Sequence, residues 1–376
     1  MGSIRSKSLA EILAEAGLSP SEKAVDKPEL ADILDTPIDY IPSTEPDSEP
    51  EDIVYIELPA GEIDPRLKLL SHSSRTLLHK CPRKYQLYRL SSDKVELEDP
   101  VKDMEQSLTF AYGHAVGEGI ASVLEGKTEA QIVLELFLNW NVDLLDENSR
   151  QKKSFWLAVF AVQRLLRMYN EGFLSDYELV QYEGKPAIEL GFQIKLPGGY
   201  TYRGFVDAVL QHKTTGEIMT LEAKTSSSIA QPAMYKNSGQ ALGYSVVLDI
   251  LFPEMSSYTV LYLVYETKSY EYKELPFTKS LLQRALWLQE LIIDTQLIKL
   301  YESYGTSYPM HGENCYDFFR ECEYLGLCTL QTEKFVKPLT QSILDDIEKD
   351  EDKYQFYVTF DDLVSSQIKK GTNDAV

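Results

Sequence analysis

The sequence predicts an α/β protein with a three-layer α/β/α core, a mixed sheet and added helices. Along the middle of the chain, residue patterns follow the order helix, three strands, helix and strand. The nearly unbroken apolar run from Tyr258 to Tyr265 is typical of a strand that is buried on both faces. Such a strand needs helices on both sides of its sheet, which gives the three layers.

The first half of the chain is predicted to be largely helical. Apolar residues recur at helical spacing in five segments: Ser73 to Cys81, Arg83 to Leu90, Tyr112 to Leu124, Glu129 to Leu145 and Lys153 to Tyr169. Ser73 is expected to cap the first helix. Pro82 should end it, because proline fits the first turn of a helix but not its interior. Cys81 is therefore expected at a junction between two helices.

The pattern changes from helical to extended at Ala187. From Ile188 to Ile194, apolar residues alternate with polar or small ones, which is the period of a half-buried strand. Two further strands are expected over Tyr202 to Leu210 and Ile218 to Lys224, and a helix over Asn237 to Leu251. The strand at Tyr258 follows that helix.

The charge of the chain is concentrated at its N-terminal end. The net charge is −22, and residues 1–65 contain sixteen acidic and four basic residues, which accounts for −12. This proline-rich stretch is predicted to be an acidic, largely unstructured arm with a short helix at Ser8 to Ala16. It is either a solvated extension or a segment that docks a partner or mimics DNA. No apolar run approaches the ~18 residues of a membrane span, so a cytoplasmic location is expected.

Three residues on two of the expected strands suggest metal-dependent hydrolysis. Asp207 lies late in one strand, and Glu222 and Lys224 lie two residues apart on the same face of the next. If these strands form a hairpin, Asp207 meets Glu222, and two close carboxylates are tolerated when a divalent cation lies between them. Lys224 would then orient the attacking water and stabilise the charge on a phosphorane-like transition state. A surface ion pair is the simpler explanation of Glu222 and Lys224 by themselves.

The wider context of these residues resembles the RecB-like branch of the PD-(D/E)XK nucleases, which includes the AddB nuclease domain and CRISPR-associated exonucleases. The resemblance covers about Ser71 to Cys328 and implies a restriction-endonuclease-like core. Its motifs are G-x-x-D, E-x-K and Q-x-x-x-Y, matched here by Gly204 to Asp207, Glu222 to Lys224, and Gln240 with Tyr244. In the family, the last pair lies beside the active site, where it contacts DNA or the catalytic lysine. Without the family, Gln240 and Tyr244 would pass as a half-buried pair.

One ligand of the family is missing from this sequence. Relatives often read G-x-x-x-H before the strands, whereas Gly117 stands here in the histidine position. Glu118 follows it and is our candidate for the third metal ligand, with a solvated glutamate as the alternative. His114 is expected to be a helix-start or phosphate-side residue. Glu189 resembles a family position on the first strand, with either a metal or a structural role.

The cysteines of the chain also follow the order of the family. There are four of them: Cys81, Cys315, Cys322 and Cys328. In a reducing compartment such a set favours a metal or cluster over disulfides. The C-P-R-K-Y sequence at Cys81 and the three trailing cysteines resemble the set that holds a 4Fe-4S cluster in this branch. The trailing spacing is C-x6-C-x5-C rather than the usual C-x2-C-x5-C, so zinc or reduced core cysteines remain as alternatives.

The resemblance implies a DNA nuclease that uses Mg²⁺ or Mn²⁺. We expect an exonuclease acting on single strands or free ends in replication, recombination or repair, with a replication or recombination protein as a partner. The alternatives are a catalytically inactive nucleic-acid-binding scaffold and an RNA nuclease. Substrate contacts are expected from Arg83, Lys84, Thr225 and Ser226. The expected domains are the arm at 1–66, a nuclease domain at 67–329 and a C-terminal appendage at 330–376.

Overall fold

The computed structural model describes residues 54–91, 100–150, 152–228, 232–255, 258–305, 307–317, 320–330 and 336–373. The chain divides into two units at Tyr55 and Ile56, and every element described below belongs to the second. The helix expected at Ser8 to Ala16, and almost all of the acidic arm, lie outside the described residues. Within the described part of the chain, no helix combines the length and the apolar character needed to cross a membrane.

The centre of the protein is a mixed sheet of eight strands. Its main order is β12-β5-β6-β7-β8-β9, and β1 and β2 both pair with β6. The strands are β1 (Leu69–Leu70), β2 (Tyr177–Leu179), β5 (Ile188–Leu196), β6 (Tyr200–His212), β7 (Ile218–Ser226), β8 (Tyr258–Glu266), β9 (Glu271–Lys279) and β12 (Phe356–Thr359). Neighbours β5, β6 and β7 are antiparallel, whereas β7 pairs with β8 in parallel. Two short hairpins lie outside this sheet: β3 (Gln181–Tyr182) with β4 (Lys185–Pro186), and β10 (Tyr316–Asp317) with β11 (Arg320–Glu321).

Helices cover both faces of the sheet. They are α1 (His72–Lys80), α2 (Pro82–Leu90), α3 (Pro100–Leu124), α4 (Glu129–Asn139), α5 (Phe155–Asn170), α6 (Pro232–Lys236), α7 (Gly239–Leu251), α8 (Leu281–Ser303), α9 (Leu325–Cys328), α10 (Gln341–Lys349) and α11 (Phe360–Asn373). Strand β8 shows the layering directly: Tyr262 and Val264 pack with Ala241 of α7, while Leu263 and Tyr265 pack with the α3–α5 side. The predicted α/β/α class and the predicted double burial of β8 are confirmed.

The helix boundaries around Cys81 follow from capping chemistry. Helix α1 ends at Cys81, which is extended (φ −156°, ψ 104°), and Pro82 opens α2, as predicted. The prediction for the start of α1 was wrong: its cap is Ser71, not Ser73. The Ser71 N–H donates to Oγ of Ser74 at 2.8 Å, and the Ser74 N–H donates to Oγ of Ser71 at 3.3 Å.

Two other predicted helices have different lengths in the structure. Helix α4 stops at Asn139 instead of Leu145 because Trp140 turns to an extended conformation and packs its ring edge-on against Phe155 at 5.5 Å. Helix α3 begins at Pro100 rather than Tyr112. It is this longer helix that spans the sheet surface beside the candidate site.

The segment expected as an appendage, 330–376, forms part of the main sheet. Strand β12 pairs in parallel with β5, with Phe356 opposite Phe192. The close approach depends on Gly191, where an added Cβ would lie 2.6 Å from the carbonyl oxygen of Lys353. The Gly191 N–H also donates to Oε1 of Gln355 at 2.7 Å.

A buried charge network anchors the last helix to the same core. Asp249 of α7 is fully buried and contacts Arg284 of α8, together with Gln367 and Lys370 of α11. A buried carboxylate of this kind requires its cations, because unpaired charge in the interior is costly. The C-terminal segment is therefore joined to the core through both the sheet and this network.

Candidate active site

Asp207 and Glu222 lie on neighbouring antiparallel strands. Ala208 of β6 pairs with Leu221 of β7, so the next step of the register brings Asp207 opposite Glu222. Oδ2 of Asp207 accepts a hydrogen bond from the Ala223 N–H at 2.8 Å. This bond fixes the Asp207 carboxylate over the strand that carries Glu222.

Glu222 is a buried carboxylate with a lysine beside it. Its side chain is 1% exposed, and its Oε1 lies 2.5 Å from Nζ of Lys224. Burial and the neighbouring Asp207 raise the pKa of Glu222 to about 7, against the opposing effects of Lys224 and Tyr244. Burial also raises the pKa of Asp207, although the Ala223 N–H and Lys224 oppose it. The two carboxylates are thus held where ionising both is unfavourable, and a divalent cation would relieve that.

Lys224 is oriented by a hydrogen-bond chain from α7. Its Nζ donates to Oε1 of Gln240 at 3.1 Å, and Nε2 of Gln240 donates to the Tyr244 hydroxyl at 2.7 Å. Burial lowers the pKa of Lys224, but Glu222 and Asp207 outweigh it and raise the pKa overall. The ammonium therefore stays charged. Gln240 and Tyr244, which share one helical face, lie where the sequence prediction put them, next to the lysine.

A cavity of about 530 Å³ opens over these side chains. It is lined by Phe110, Gly113, His114, Val116, Gly117, Glu118, Glu189, Asp207, Glu222, Ala223, Lys224, Thr225 and Gln240. Among these lining residues, four are carboxylates and one is a lysine. Such a cavity repels a bare phosphate, so binding of a phosphodiester here calls for an added cation.

Glu189 extends the acidic cluster and stands in a strained backbone. Its φ is +47°, in the left-handed region that costs a non-glycine residue about 1–3 kcal/mol. Strands β5 and β6 pair on both sides of Glu189, which places it opposite Asp207. Burial, Asp207 and Glu118 raise the pKa of Glu189 to about 7. Backbone strain and like-charge crowding at one position are typical of functional sites.

Glu118 lies in the same cavity with its own partners. Its carboxylate is 3.1 Å from Nε2 of His114 and accepts a hydrogen bond from Nδ2 of Asn139 at 3.3 Å. His114 is one turn earlier on α3 and is largely exposed. Gly117 has nothing within 4 Å of an added Cβ. The helix therefore contributes Glu118 to the cavity and leaves open space at position 117.

The oxygen donors of the cavity fit Mg²⁺ or Mn²⁺. In the ranges that the structure describes, no three His, Cys, Asp or Glu side chains form a ready metal cage. Mg²⁺ does not need one, because one or two carboxylates commonly hold it while water and substrate phosphates complete its shell. Asp207 and Glu222 supply two such carboxylates at one end of the cavity.

Arg83 does not reach the substrate side. It is fully buried, and its guanidinium donates to the carbonyl oxygens of Cys328 at 3.1 Å and Leu330 at 2.8 Å. It also donates to Oε1 of Gln86 at 2.6 Å. The prediction that Arg83 contacts phosphate is therefore wrong. Its physical role is to hold the segment that follows the last cysteine.

The other expected substrate contacts fall in different places. Thr225 lines the active-site cavity. Ser226 donates its hydroxyl to the carbonyl oxygen of Ser228 at 2.5 Å. Lys84 lines the separate cysteine cavity, where its Nζ is 3.4 Å from Oε1 of Glu323. Of these three residues, Thr225 is the one that shares a cavity with Asp207, Glu222 and Lys224.

The four cysteines, distant in sequence, line one small cavity. Cys81 is buried, whereas Cys315, Cys322 and Cys328 are partly exposed, and all four are free thiols. Cys315 follows a short 3-10 turn at Gly312–Asn314, and its carbonyl oxygen accepts a hydrogen bond from the Cys322 N–H at 2.8 Å. Burial raises the pKa of the Cys322 and Cys328 thiols. The structure therefore brings the four predicted residues to one place.

The structure gives no support to the expected 4Fe-4S cluster. The cavity measures about 20 Å³, which is room for one ion or water molecule. No three of Cys81, Cys315, Cys322 and Cys328 form a ready ligand set within the described residues. The prediction that these four thiols hold a cluster is thus not supported by the structure. The physical reason is space, because the segment carrying Cys315, Cys322 and Cys328 packs closely against the start of α2.

Sequence reasoning missed two residues, one beside Lys224 and one in the lining of the cavity. His72, the first residue of α1, lies close enough to Lys224 that burial, Lys224 and Arg75 lower its pKa to about 4. Phe110 lines the cavity although 67% of its surface is exposed. Neither belongs to a motif. The sequence offered one signal for Phe110: it is a large apolar residue on the solvent-facing side of α3.

Comparison with known proteins identifies the family. No curated protein matches this chain. Among solved structures, SSO0001 is similar at 16% sequence identity over 46% of this chain and 75% of that one, with a TM-score of 0.24, and the assignment does not rest on it. The profile of the PD-(D/E)XK nuclease superfamily matches residues 69–329, more than half of the chain and the whole of the candidate site. The chain belongs to the PD-(D/E)XK nuclease superfamily.

Proposed function

We propose that this chain is a metal-dependent deoxyribonuclease that hydrolyses phosphodiester bonds in single strands or at free ends. The observation that carries the proposal is the meeting of Asp207, Glu222 and Lys224 in one open cavity. Superfamily membership supports the nuclease activity. The choice of DNA and of free ends rests on the motif resemblance alone.

Each catalytic side chain has a role that its surroundings suit. Asp207, Glu222 and the backbone carbonyl of Ala223 would hold Mg²⁺ or Mn²⁺, which when bound supplies Lewis-acid stabilisation of the phosphate. Lys224, kept charged and held by Gln240, orients the attacking water and balances negative charge that grows in the transition state. The hydrogen-bond chain through Gln240 and Tyr244 controls the position of the Lys224 ammonium rather than its pKa.

Glu118 is the proposed third ligand of the metal ion. It would bind the ion through a water molecule, or directly after its carboxylate leaves His114 and Asn139. Glu189 is the remaining carboxylate in the cavity lining, so it is the alternative candidate for the third ligand. A titration of Mn²⁺ binding with Glu118→Gln and Glu189→Gln separates the two. We expect weaker binding in Glu118→Gln, and an effect confined to Glu189→Gln would assign the third position to the strand instead of the helix.

The activity test uses the full chain with Mg²⁺ or Mn²⁺ on end-labelled single-stranded DNA, double-stranded DNA and RNA. We expect cleavage of DNA, and a loss of about a hundredfold or more in Asp207→Ala and Lys224→Ala. Glu217→Gln, an exposed glutamate just before β7, is the matched control and should cleave normally. Equal activity in all variants would assign the cleavage to another site or a contaminant.

An inactive scaffold is the second candidate function, because Gly117 stands where relatives carry a histidine. In that case the wild-type chain binds DNA without cutting it in either metal. Preferential cleavage of RNA in competition would instead identify an RNA nuclease.

We further propose that the chain lies in the RecB-like branch with the AddB nuclease domain, and that Cys81, Cys315, Cys322 and Cys328 share one metal group. The common cavity of these cysteines supports this. A 4Fe-4S cluster requires the cavity to widen, whereas zinc requires a smaller adjustment of the thiols. Iron, sulfide and zinc analysis after anaerobic purification distinguishes the two, and protein with neither metal would leave four reduced thiols.

A further inference from the structure

Three aromatic side chains form a row on the α5 side of the sheet, two of them exposed and the third, Tyr270, partly buried. Trp156 and Phe160 are four residues apart on α5 and so share one helical face; they are 51% and 44% exposed. The ring of Phe160 meets the ring of Tyr270 edge-on, with 5.9 Å between centroids. Tyr270 lies in the turn between β8 and β9. We call Trp156, Phe160 and Tyr270 the aromatic row.

The core of the protein does not explain the exposure of this row. Helix α5 already buries its opposite face through residues such as Ala158, Val162 and Leu165. Large aromatic surface that faces water without filling the core commonly marks a binding site. The row is nevertheless held in place by the core, because the Trp156 ring packs edge-on against the buried Phe155 ring, with 5.0 Å between centroids. Supported, exposed rings form a ready platform for stacking.

Basic side chains accompany the row in an otherwise acidic chain. Nζ of Lys152 lies 4.7 Å from the centroid of the Tyr270 ring. Arg164 follows Phe160 by one helical turn and pairs with Glu271 at 3.2 Å. Lys268 is exposed in the same turn as Tyr270. Against a net charge of −22, rings interleaved with cations suit a polyanion with flat faces, which describes unpaired nucleotides.

The row is joined to the active site through the sheet. Ser226 ends β7, the strand that carries Glu222 and Lys224, and its carbonyl oxygen accepts the Thr267 N–H at 2.8 Å. The Tyr270 N–H in turn donates to the Glu266 carbonyl at 2.8 Å. The turn that carries Tyr270 is therefore hydrogen-bonded to the end of the catalytic strand. Thr225, which lines the cavity, is the residue before Ser226, so the cavity and this turn lie at the same end of the paired strands.

We propose that the aromatic row binds unpaired bases of a single DNA strand whose backbone passes through the active-site cavity. This inference rests on the proposed nuclease function and adds the location of the strand outside the cavity. Bases stack on Trp156 and Phe160, while Lys152 and Arg164 lie near the phosphates. The row thereby gives the enzyme its preference for unpaired over paired ends.

The test measures binding without cleavage. Fluorescently labelled oligothymidylate of about twenty nucleotides is titrated with the full chain in Ca²⁺, which binds the cavity carboxylates but coordinates them with longer and less regular bonds than Mg²⁺ does. We expect Trp156→Ala and Phe160→Ala each to raise Kd about tenfold, the loss of one stacked base. Tyr357→Ala, which removes a 49% exposed ring from β12 at the opposite edge of the sheet, should bind like wild type. Trp156→Phe keeps a stacking surface and should stay within about threefold of wild type.

A second measurement reports stacking directly. Trp140 and Trp287 are 7% and 1% exposed, so quenching of tryptophan fluorescence by the oligonucleotide should come from Trp156 and disappear in Trp156→Phe. Unchanged Kd values in the ring variants, or quenching that survives this substitution, would overturn the inference. If the wild type cuts no substrate but binding still depends on the row, the catalytic proposal fails alone. If it cuts DNA while the ring variants bind normally, the row proposal fails alone.

Discussion

Replacing Glu222 by glutamine should stabilise the protein in the absence of metal while abolishing its activity. Glu222 is 1% exposed, and burial together with Asp207 raises its pKa to about 7. A carboxyl group in this position becomes fully charged only above neutral pH, and it does so against the preference of its surroundings. Glutamine has nearly the same shape and no charge, so it removes that conflict and leaves the packing in place.

The size of the effect follows from the pKa. The ordinary glutamate pKa of 4.5 and the folded-state pKa of about 7 differ by an amount worth about 3 kcal/mol. Below pH 4.5 the group is protonated in both the folded and the unfolded chain, so the charge has no effect there. As the pH rises from 4.5 to 7 the folded state holds its proton more tightly, and stability falls across that window. This pKa already includes the opposing effect of Lys224. The glutamine amide still has to satisfy its own hydrogen bonds in a buried position, which leaves a gain of about 1–3 kcal/mol at about pH 8.

Urea denaturation in EDTA at pH 5 and pH 8 measures the difference directly. Glu222→Gln should unfold at higher urea than wild type at pH 8, and the two should converge towards pH 5. Glu217→Gln, an exposed glutamate one residue before the same strand, should match wild type at both pH values. Added Mg²⁺ should stabilise wild type. It should stabilise Glu222→Gln less, because the variant has lost one of the two carboxylates proposed to bind the cation.

A destabilised Glu222→Gln at pH 8 would refute the electrostatic reasoning. It would mean that the ion pair with Lys224 outweighs the burial of the carboxylate. A gain of equal size at pH 5 and pH 8 would also refute it, since the effect would then come from packing and not from charge.

Three further substitutions test the hydrogen bonds and close contacts that position the site. Gln240→Ala removes the acceptor of Lys224 and should lower kcat about tenfold with little change in melting temperature; an unchanged kcat would show that the lysine needs no such support. Arg83→Met leaves buried carbonyl groups without their donor and should cost about 2–4 kcal/mol in urea unfolding, whereas a loss of DNA binding at normal stability would restore it as a substrate contact. Gly191→Ala pushes a methyl group to 2.6 Å from the Lys353 carbonyl oxygen and should expose the C-terminal strand to limited proteolysis; wild-type resistance would contradict the contact.

The features predicted correctly from sequence are those that local pattern encodes. An apolar run indicates a doubly buried strand such as β8, and the proline after Cys81 ends a helix wherever that helix packs. Residues two apart on a strand, such as Glu222 and Lys224, share a face by backbone geometry. Asp207 could be assigned to the same site once its strand was expected to form a hairpin with the next.

The errors about Arg83 and about the domain boundary at residue 330 concern long-range contacts. Arg83 looked like a phosphate ligand because an arginine beside a lysine is normally solvated, yet the segment after Cys328 folds over it and supplies its acceptors. The segment from residue 330 looked like an appendage because no local pattern says that it pairs with β5, more than a hundred residues earlier. Both outcomes depend on chain segments distant in sequence.

The sequence by itself determined the order of the central strands and helix from Ala187 to Tyr265, the pairing of carboxylates with a lysine, and the superfamily of this protein. The first two follow from periodicity and spacing, which act over a few residues, and the superfamily followed from the resemblance of the motifs to those of known nucleases. Tertiary structure alone decided which charges are buried, how the pKa of Glu222 and Glu189 is raised, and which exposed rings lie beside the cavity. It also decided the volume of the small cavity that the four cysteines line. Burial, free volume and Coulomb interaction depend on distance in space, and that distance is set when the helices pack on the sheet.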